Sequence, residues 1–301
     1  MKLLALSEVD PRARRVALGT FDGVHLGHRE VIAGCDTVLT FDPHPASVLR
    51  PGSEPLLLTS MERRTELIAR LGVSELVTIP FDEEFARRSP EQFVDEIIIG
   101  ALGASHVNVG GNFRFGAGAR GDSVMLAADE RFTTAVVAMV QAGGEVVSAS
   151  HIRELLACGA VAEANALLGD AFVIDGPVVH GEKRGRTLGF PTANLEPVAG
   201  CCTPGHGVYA CRVRLDDGSW HAAATSIGVR PMFETGLGEL IEAYLLDFSG
   251  DLYGRSIRIE FLERLRGEQR FDGVDALVEQ MNRDVDRARQ IAGRVLPSAS
   301  A

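Results

Sequence analysis

The sequence predicts two folds in one chain: a doubly wound parallel α/β domain, then a small antiparallel β-barrel with a C-terminal helix. Three observations predict this. In the first half, short apolar runs alternate with stretches of helical spacing, the pattern of a parallel sheet built through helical crossovers. After Phe172 short strand candidates recur between turn residues, which suits a small barrel. Near the end, Leu277, Val278, Met281, Val285 and Ala288 repeat at the spacing of an amphipathic helix. A chain of 301 residues has room for two cores. The boundary is placed near Asp170, giving domains 1–170 and 171–301.

Residues 16–18 are apolar and end at Gly19, as a buried strand does. GTFDGVHLGH (19–28) and REVIAG (29–34) follow, a glycine-containing loop and a short helix. In that layout helix amides can meet a phosphate. His25 and His28, three apart, share a face once the helix has begun, and can donate to one anion. Few residues separate His28 from the next strand, TVLTFDPHP (37–45), so the crossover helix is short. Residues 61–71 carry Leu67, Ile68 and Leu71 at helical spacing, 76–79 form a strand, 93–99 a helix and 106–109 a strand. Ligands of such sheets bind at the carboxyl ends of the strands, where GTFDGVHLGH and GGNFRFG both fall. Residues 116–121 match GxGxxG, yet no helix opens there and no acidic residue follows at the required distance, so no dinucleotide fold is expected. VSASHIRELL (147–156) opens a helix for which Ser148 suits the N-cap, and 161–172 has helical spacing. In the second half the strand candidates are 173–174, 178–179, 207–215, 220–224, 241–248 and 256–261, with a helix over 274–291.

Composition narrows the function. With 30 basic and 41 acidic residues the net charge is −11, and no basic domain or tail argues for nucleic acid as a partner. Only Lys2 and Lys183 are lysines, so phosphate contacts fall mostly to arginine, whose planar fork suits them. The apolar run at the start is too short for a signal peptide. No segment reaches the ~18 apolar residues that cross a bilayer. Cys35, Cys158, Cys201, Cys202 and Cys211 are odd in number and contain no CxxC pair, which reads as free thiols in a reducing cytoplasm.

VHGEKRGRTLGFPTAN (179–194) concentrates the chemistry. Gly181, Gly185 and Gly189 sit among Lys183, Arg184 and Arg186. Glycine lets backbone amides approach a ligand closely, and successive amides form a concave anion site. Pro191 fixes its own φ and biases Phe190 towards an extended conformation. Thr192 and Asn194 then lie on one face, where a hydroxyl and an amide oxygen can serve Mg²⁺. Read without context, the same residues also fit a solvated Gly/Arg loop, and Glu242 fits a strand-surface carboxylate. No GxxxxGK[ST] is present, so this is not a P-loop.

GEKRGRTLGFPTANL and IEAYLLDFSGDLYGRSIRIEFLERLRGEQRF (241–271) resemble riboflavin kinases. To about Arg289, the chain resembles the bacterial bifunctional riboflavin kinase/FAD synthetases, with HxGH as in nucleotidyltransferases. The resemblance implies a nucleotidyltransferase-like first domain and a riboflavin kinase-like barrel. It implies ATP-dependent phosphorylation of riboflavin to FMN, then adenylylation of FMN to FAD with release of pyrophosphate. It assigns Glu242 as catalytic base and has His25, His28 and Arg153 stabilise the departing pyrophosphate. Gly19, Phe21, Asp22, Gly27, Asn112, Ser148 and Ser150 would bind nucleotide in the first domain, and Gly181, Lys183, Gly185, Arg186, Gly189 and Pro191 in the second. Asp42, Pro43, His44, Arg266 and Phe271 would bind flavin, and Thr192 and Asn194 a metal, taken as Mg²⁺ with ATP as co-substrate. Riboflavin, FMN and ATP are then the partners, in the cytoplasm, with no nucleic acid or membrane; a homo-oligomer is compatible.

Four departures from the pattern stand out: Asn112 where many relatives carry Asp, Ala149 for a usual Ser, Ser226 in SIGVRPMF for Asn, and the short helix after His28. The short helix and Ala149 motivate one alternative, a riboflavin kinase whose first domain has lost adenylyl transfer. A second alternative is a non-enzymatic flavin sensor, against which PTAN and Glu242 both speak. A cytidylyltransferase for another alcohol phosphate fits HxGH but leaves the second half unexplained.

Overall fold

The computed structural model describes residues 1–10, 12–181, 185, 188–229 and 239–294. It divides into two compact units, Met1–Ala149 and Ser150–Ala301.

The first unit is built on strands β1 (Lys2–Ala5), β2 (Arg14–Leu18), β3 (Thr37–Phe41), β4 (Glu75–Ile79) and β5 (Ala104–Gly110). Further on come the short ribbon β6 (Arg114–Phe115) and β7 (Gly121–Asp122), then β8 (Thr133–Val137), and the ribbon β9 (Gln141–Ala142) and β10 (Glu145–Val146). The main sheet runs β1-β4-β3-β2-β5-β8, and every pairing in it is parallel. Both faces are covered. Val16, Leu18, Leu39, Val77 and Ile79 pack on one side, while Ala17, Val38 and Leu76 between them pack on the other. That accounts for continuous apolar runs rather than alternation. Beneath the sheet, Arg14 is 2% exposed and donates at 2.9 Å to Glu75, and at 2.9 Å to the Leu102 carbonyl. Burial pushes the Glu75 carboxyl up, but Arg14 and Arg12 outweigh it and hold it below its usual range.

The crossover helix after β2 is Leu26–Ile32, seven residues, as short as the sequence requires. The ends of β2, β3 and β5 bring the loops after Leu18, Phe41 and Gly110 to one edge of the sheet. The GxGxxG match is a turn and ribbon. Gly116 has φ +71° and packs on Pro90, and Gly121 packs on the Phe115 ring. These glycines serve close packing.

The second unit opens with helices Ala149–Ala157 and Val161–Leu168. They lean on the barrel: Asn165 donates to the Phe261 carbonyl at 2.8 Å and accepts from the Phe172 N–H at 2.7 Å. The barrel strands are β11 (Phe172–Val179), β12 (Ala193–Leu195), β13 (Gly207–Arg214), β14 (Trp220–Val229), β15 (Glu239–Leu245) and β16 (Ser256–Arg266). They close in the order β11-β12-β15-β14-β13-β16, and β16 pairs back onto β11. The two runs expected at 173–174 and 178–179 are one strand. Pro177 lies inside this strand, where its carbonyl accepts the Glu196 N–H at 3.2 Å. The terminal helix is Val274–Gly293, with Ala288 and Ala292 fully buried against the barrel.

Candidate active sites

In the first unit, the loop after β2 is tightly wound. Phe21, Gly23 and Val24 have φ of 50°, 82° and 42°. For Phe21 and Val24 this left-handed conformation is costly and persists only where packing enforces it. Phe21 is 1% exposed, and its ring lies 3.0 Å from where a Cβ on Gly19 would stand. Asp22 is also 1% exposed. Its carboxylate accepts from the N–H groups of Leu58 at 2.9 Å and Thr59 at 3.1 Å, with Arg64 at 3.7 Å. Asp22 therefore ties the 58–59 segment to the loop.

This winding delivers the histidine pair. His25 is the N-cap of the helix, and its Nδ1 accepts from the His28 N–H at 3.2 Å. The two rings stack with centroids 3.6 Å apart, and Phe21 meets His28 edge-on at 5.3 Å. A side chain on Gly27 would press on the His25 ring at 3.3 Å. His28 Nδ1 is enclosed with no hydrogen-bond partner among the described residues. Burial holds the His28 pKa well below its ordinary value, and His25 and Arg64 reinforce this. Its surroundings therefore favour the neutral imidazole.

The other residues expected to serve adenylyl transfer are each placed as follows. Asp42 and Pro43 are exposed, joined by a cis peptide bond, and His44 caps the helix Pro45–Leu49 by accepting from the Ala46 N–H at 3.1 Å. Asn112 is exposed just past the end of β5. Ser148 immediately precedes the helix Ala149–Ala157, which carries Ser150 and the half-buried Arg153. The sequence reading missed a run of rings at the strand ends. Phe41, Phe81, Phe85, Phe93, Phe115 and Phe113 touch in succession, with centroids 5.3 to 6.3 Å apart. Phe81, Phe85 and Phe113 are half-buried. Their crowding between residues 81 and 115 was the available signal.

The second unit brings together residues fifty positions apart. Pairing of β12 with β15 sets Asn194 opposite Glu242, and β15 with β14 sets Glu242 opposite Ser226. The row continues through Val208 to Arg266. Paired residues share a face, so one line of side chains crosses five strands. Thr192 Oγ1 lies 3.4 Å from Glu242 Oε1. All of these line one cleft of about 420 Å³. Phe190 and Tyr244, edge to face at 5.3 Å, border it, and Leu277, Met281 and Val285 of the terminal helix form an apolar wall. Arg266 is held by Asp284 at 2.9 Å and lies 5.7 Å from the Phe271 ring centroid.

The glycines of the loop have separate reasons. A Cβ on Gly181 would collide with the Asn194 amide, and one on Gly185 with the Phe190 carbonyl. Gly189 has open space but a φ of +88°, which favours glycine. The Gly185 carbonyl accepts from the N–H groups of Leu188 and Phe190, at 3.0 and 2.9 Å. Pro191 is exposed. Lys183, Arg184 and Arg186 lie outside the described residues, as does the whole RPMF segment (230–233). No helix among the described residues is long and apolar enough to cross a membrane, and all five cysteines are free.

Two families match the two halves of the chain. The family described as FAD synthetase matches residues 7–151, and that described as riboflavin kinase matches 168–292. The chain is 38% identical over 287 residues to a bifunctional riboflavin kinase/FMN adenylyltransferase of Listeria monocytogenes, covering 91% of both chains. It is 34% identical over 306 residues to the protein so named in Escherichia coli, covering 97% of both. A crystal structure described as a macrolide-efflux protein from Streptococcus pneumoniae superposes with a TM-score of 0.86 at 29% identity, covering 95% of this chain and 98% of that one.

Proposed function

The chain belongs to the family of bifunctional riboflavin kinase/FMN adenylyltransferases, and from that premise we propose how its residues divide the work. Residues 171–301 carry the kinase and residues 1–170 the adenylyltransferase. The carrying observation is the meeting of Thr192, Asn194 and Glu242 in one cleft, with Thr192 and Glu242 3.4 Å apart.

Riboflavin enters with its ring against Leu277, Met281 and Val285 and beside Arg266, and its ribityl chain runs towards Glu242. The Glu242 carboxylate accepts the proton of the 5′-hydroxyl. That oxygen attacks the γ-phosphorus of ATP, the bond from the γ-phosphorus to the bridging oxygen breaks, and ADP leaves with FMN formed. Gly181, Gly185, Gly189 and Pro191 shape the phosphate cradle, to which Lys183 and Arg186 add charge. The donor set fits a hard divalent cation: a threonine hydroxyl, an asparagine amide oxygen and one carboxylate, all oxygen. Among the described residues no cluster of three or more His, Cys, Asp or Glu could hold a metal by itself. Thr192 and Asn194 would therefore share Mg²⁺ with ATP phosphates and water. When bound, it neutralises charge on the transferred group.

In the first unit, the FMN phosphate attacks the α-phosphorus of a second ATP and pyrophosphate departs. His25 and His28 donate to the departing oxygens, with Arg153 assigned to the phosphates by resemblance. No covalent intermediate is needed; positioning and charge supply the acceleration. Gly19, Phe21, Asp22 and Gly27 hold the histidine loop, and Asn112, Ser148 and Ser150 complete the nucleotide side. Asp42, Pro43 and His44, with the half-buried phenylalanines, take the flavin ring. The cytoplasm, with its ATP and reducing poise, suits both reactions and the free thiols.

The alternatives are not favoured, since both domains match. Incubating the chain with riboflavin, ATP and Mg²⁺ and separating the products tests the reading: FMN appears first and FAD follows. FMN without FAD would remove the adenylyl transfer, and no FMN would remove the kinase reaction.

A further inference from the structure

The terminal helix has two unlike halves. Its later part is anchored: Ala288 and Ala292 are fully buried, and Ala288 packs with Ala210 and Leu265. Its first two turns have no fully buried residue. Val274 is 60% exposed, and Leu277 and Met281 are half-buried along the cleft. The N-cap is Gly273, with no side-chain cap. These turns expose apolar surface to the cleft with little of their own packing to hold them.

At the junction stands Asp284, 4% exposed. It accepts from Arg266 Nε at 2.9 Å and from Gln280 Nε2, one turn earlier, at 2.9 Å. Arg266 ends the cross-strand row that begins at Asn194 and passes Glu242. It also donates to the Gly267 carbonyl at 3.1 Å. The carboxylate thus ties the start of the helix to the strand row that carries the base. The other ion pairs from the helix to the barrel among the described residues are exposed: Arg287 to Glu263 at 3.3 Å, and Arg289 to Asp247. Pairs of that kind contribute little. An enclosed pair in a low-dielectric setting holds its geometry far more strongly.

We propose that Asp284 is a positioning residue for the kinase reaction: through Arg266 it fixes the cleft wall of the terminal helix, so that the riboflavin ring is gripped while its terminal alcohol reaches Glu242. Asp284 lines the cleft beside Arg266 and is assigned no part in the phosphate transfer. It acts on flavin binding and leaves the ATP side alone. This rests on the kinase reading above.

The test is steady-state kinetics on the full chain, with Asp284→Asn, Arg266→Gln, the double variant and Asp284→Glu. Asparagine keeps the shape and removes the charge. Asp284→Asn raises the riboflavin KM roughly tenfold, the size of one lost charged hydrogen bond. The KM for ATP and kcat stay within about twofold, and Asp284→Glu recovers part of the loss. The double variant is no worse for riboflavin than Arg266→Gln alone, because Asp284 works through that arginine. An unchanged riboflavin KM in Asp284→Asn overturns the proposal. So do additive effects in the double variant, or a parallel fall in kcat and in affinity for ATP, which marks general loss of structure. If the unaltered chain does not phosphorylate riboflavin, the kinase reading itself fails, a result distinct from all of these.

Discussion

Gly181 shows how little freedom the kinase cleft leaves. The Asn194 amide occupies the space a methyl group would need. Gly181→Ala therefore displaces Asn194 from its place opposite Glu242. A misplacement of this kind costs roughly 10–100-fold in rate. Kinase kcat/KM for ATP is expected to fall by that amount, while conversion of FMN to FAD, measured on the same preparation, stays unchanged. Gly189 is the contrasting case, where the requirement lies in its own φ of +88° and no neighbour intrudes. The amino-acid order showed a glycine-rich loop but could not separate these reasons, because close approach depends on residues brought in from elsewhere in the chain. Thr192 and Asn194 could be paired from their spacing alone. Glu242 could be joined to them only through the resemblance, since the β12–β15 register that sets it opposite Asn194 has no local signature. Asp284 escaped altogether: on a helix rich in acidic and basic residues it reads as one more surface charge, yet it is 4% exposed.

Among the elements, the central strands were readable because burial on both faces writes continuous apolar runs. The edges were not. β1 and β8 keep Leu3 62% and Val136 46% exposed, so neither writes a buried-strand pattern. The helix after β4 was readable as helix over 93–99, but it winds wider than an α-helix over Phe93–Ala101, and Leu102 N–H bonds to the Ile97 carbonyl. The sheet also rests on a feature that composition hides, the enclosed Arg14–Glu75 pair joining β2 to β4 across β3. Removing the arginine leaves that buried carboxylate to the exposed Arg12, 3.0 Å away. Arg14→Met is expected to cost at most about 3–5 kcal/mol at neutral pH, read from denaturant unfolding. The sign with pH follows from the Glu75 shift. Its carboxyl is held below its usual range, so the pair stabilises the fold at neutral pH and the benefit is lost as acid protonates it. The deficit of Arg14→Met should therefore shrink in acid, since a protonated Glu75 no longer needs its partner.

Two matched families, one over residues 7–151 and one over 168–292, explain why one chain can carry two transfers. Both use the same co-substrate but demand different chemistry. Phosphorylating an alcohol needs a base, because a hydroxyl is a poor nucleophile until its proton is taken. Adenylylating a phosphate needs none, because the attacking oxygen is already an anion; there the requirement is donors for the departing pyrophosphate. The barrel supplies a carboxylate and the parallel sheet supplies stacked imidazoles, and neither set would serve the other reaction. That assignment makes Glu242 the residue on which the two activities should part. The direct measurement is product formation by Glu242→Gln, offered riboflavin or FMN with ATP and Mg²⁺. With FMN the variant should form FAD at the rate of the unaltered chain. With riboflavin FMN should appear roughly 10²–10⁴-fold more slowly, with riboflavin affinity kept. FMN formation from riboflavin at the unaltered rate, or loss of FAD formation from FMN, would contradict the account.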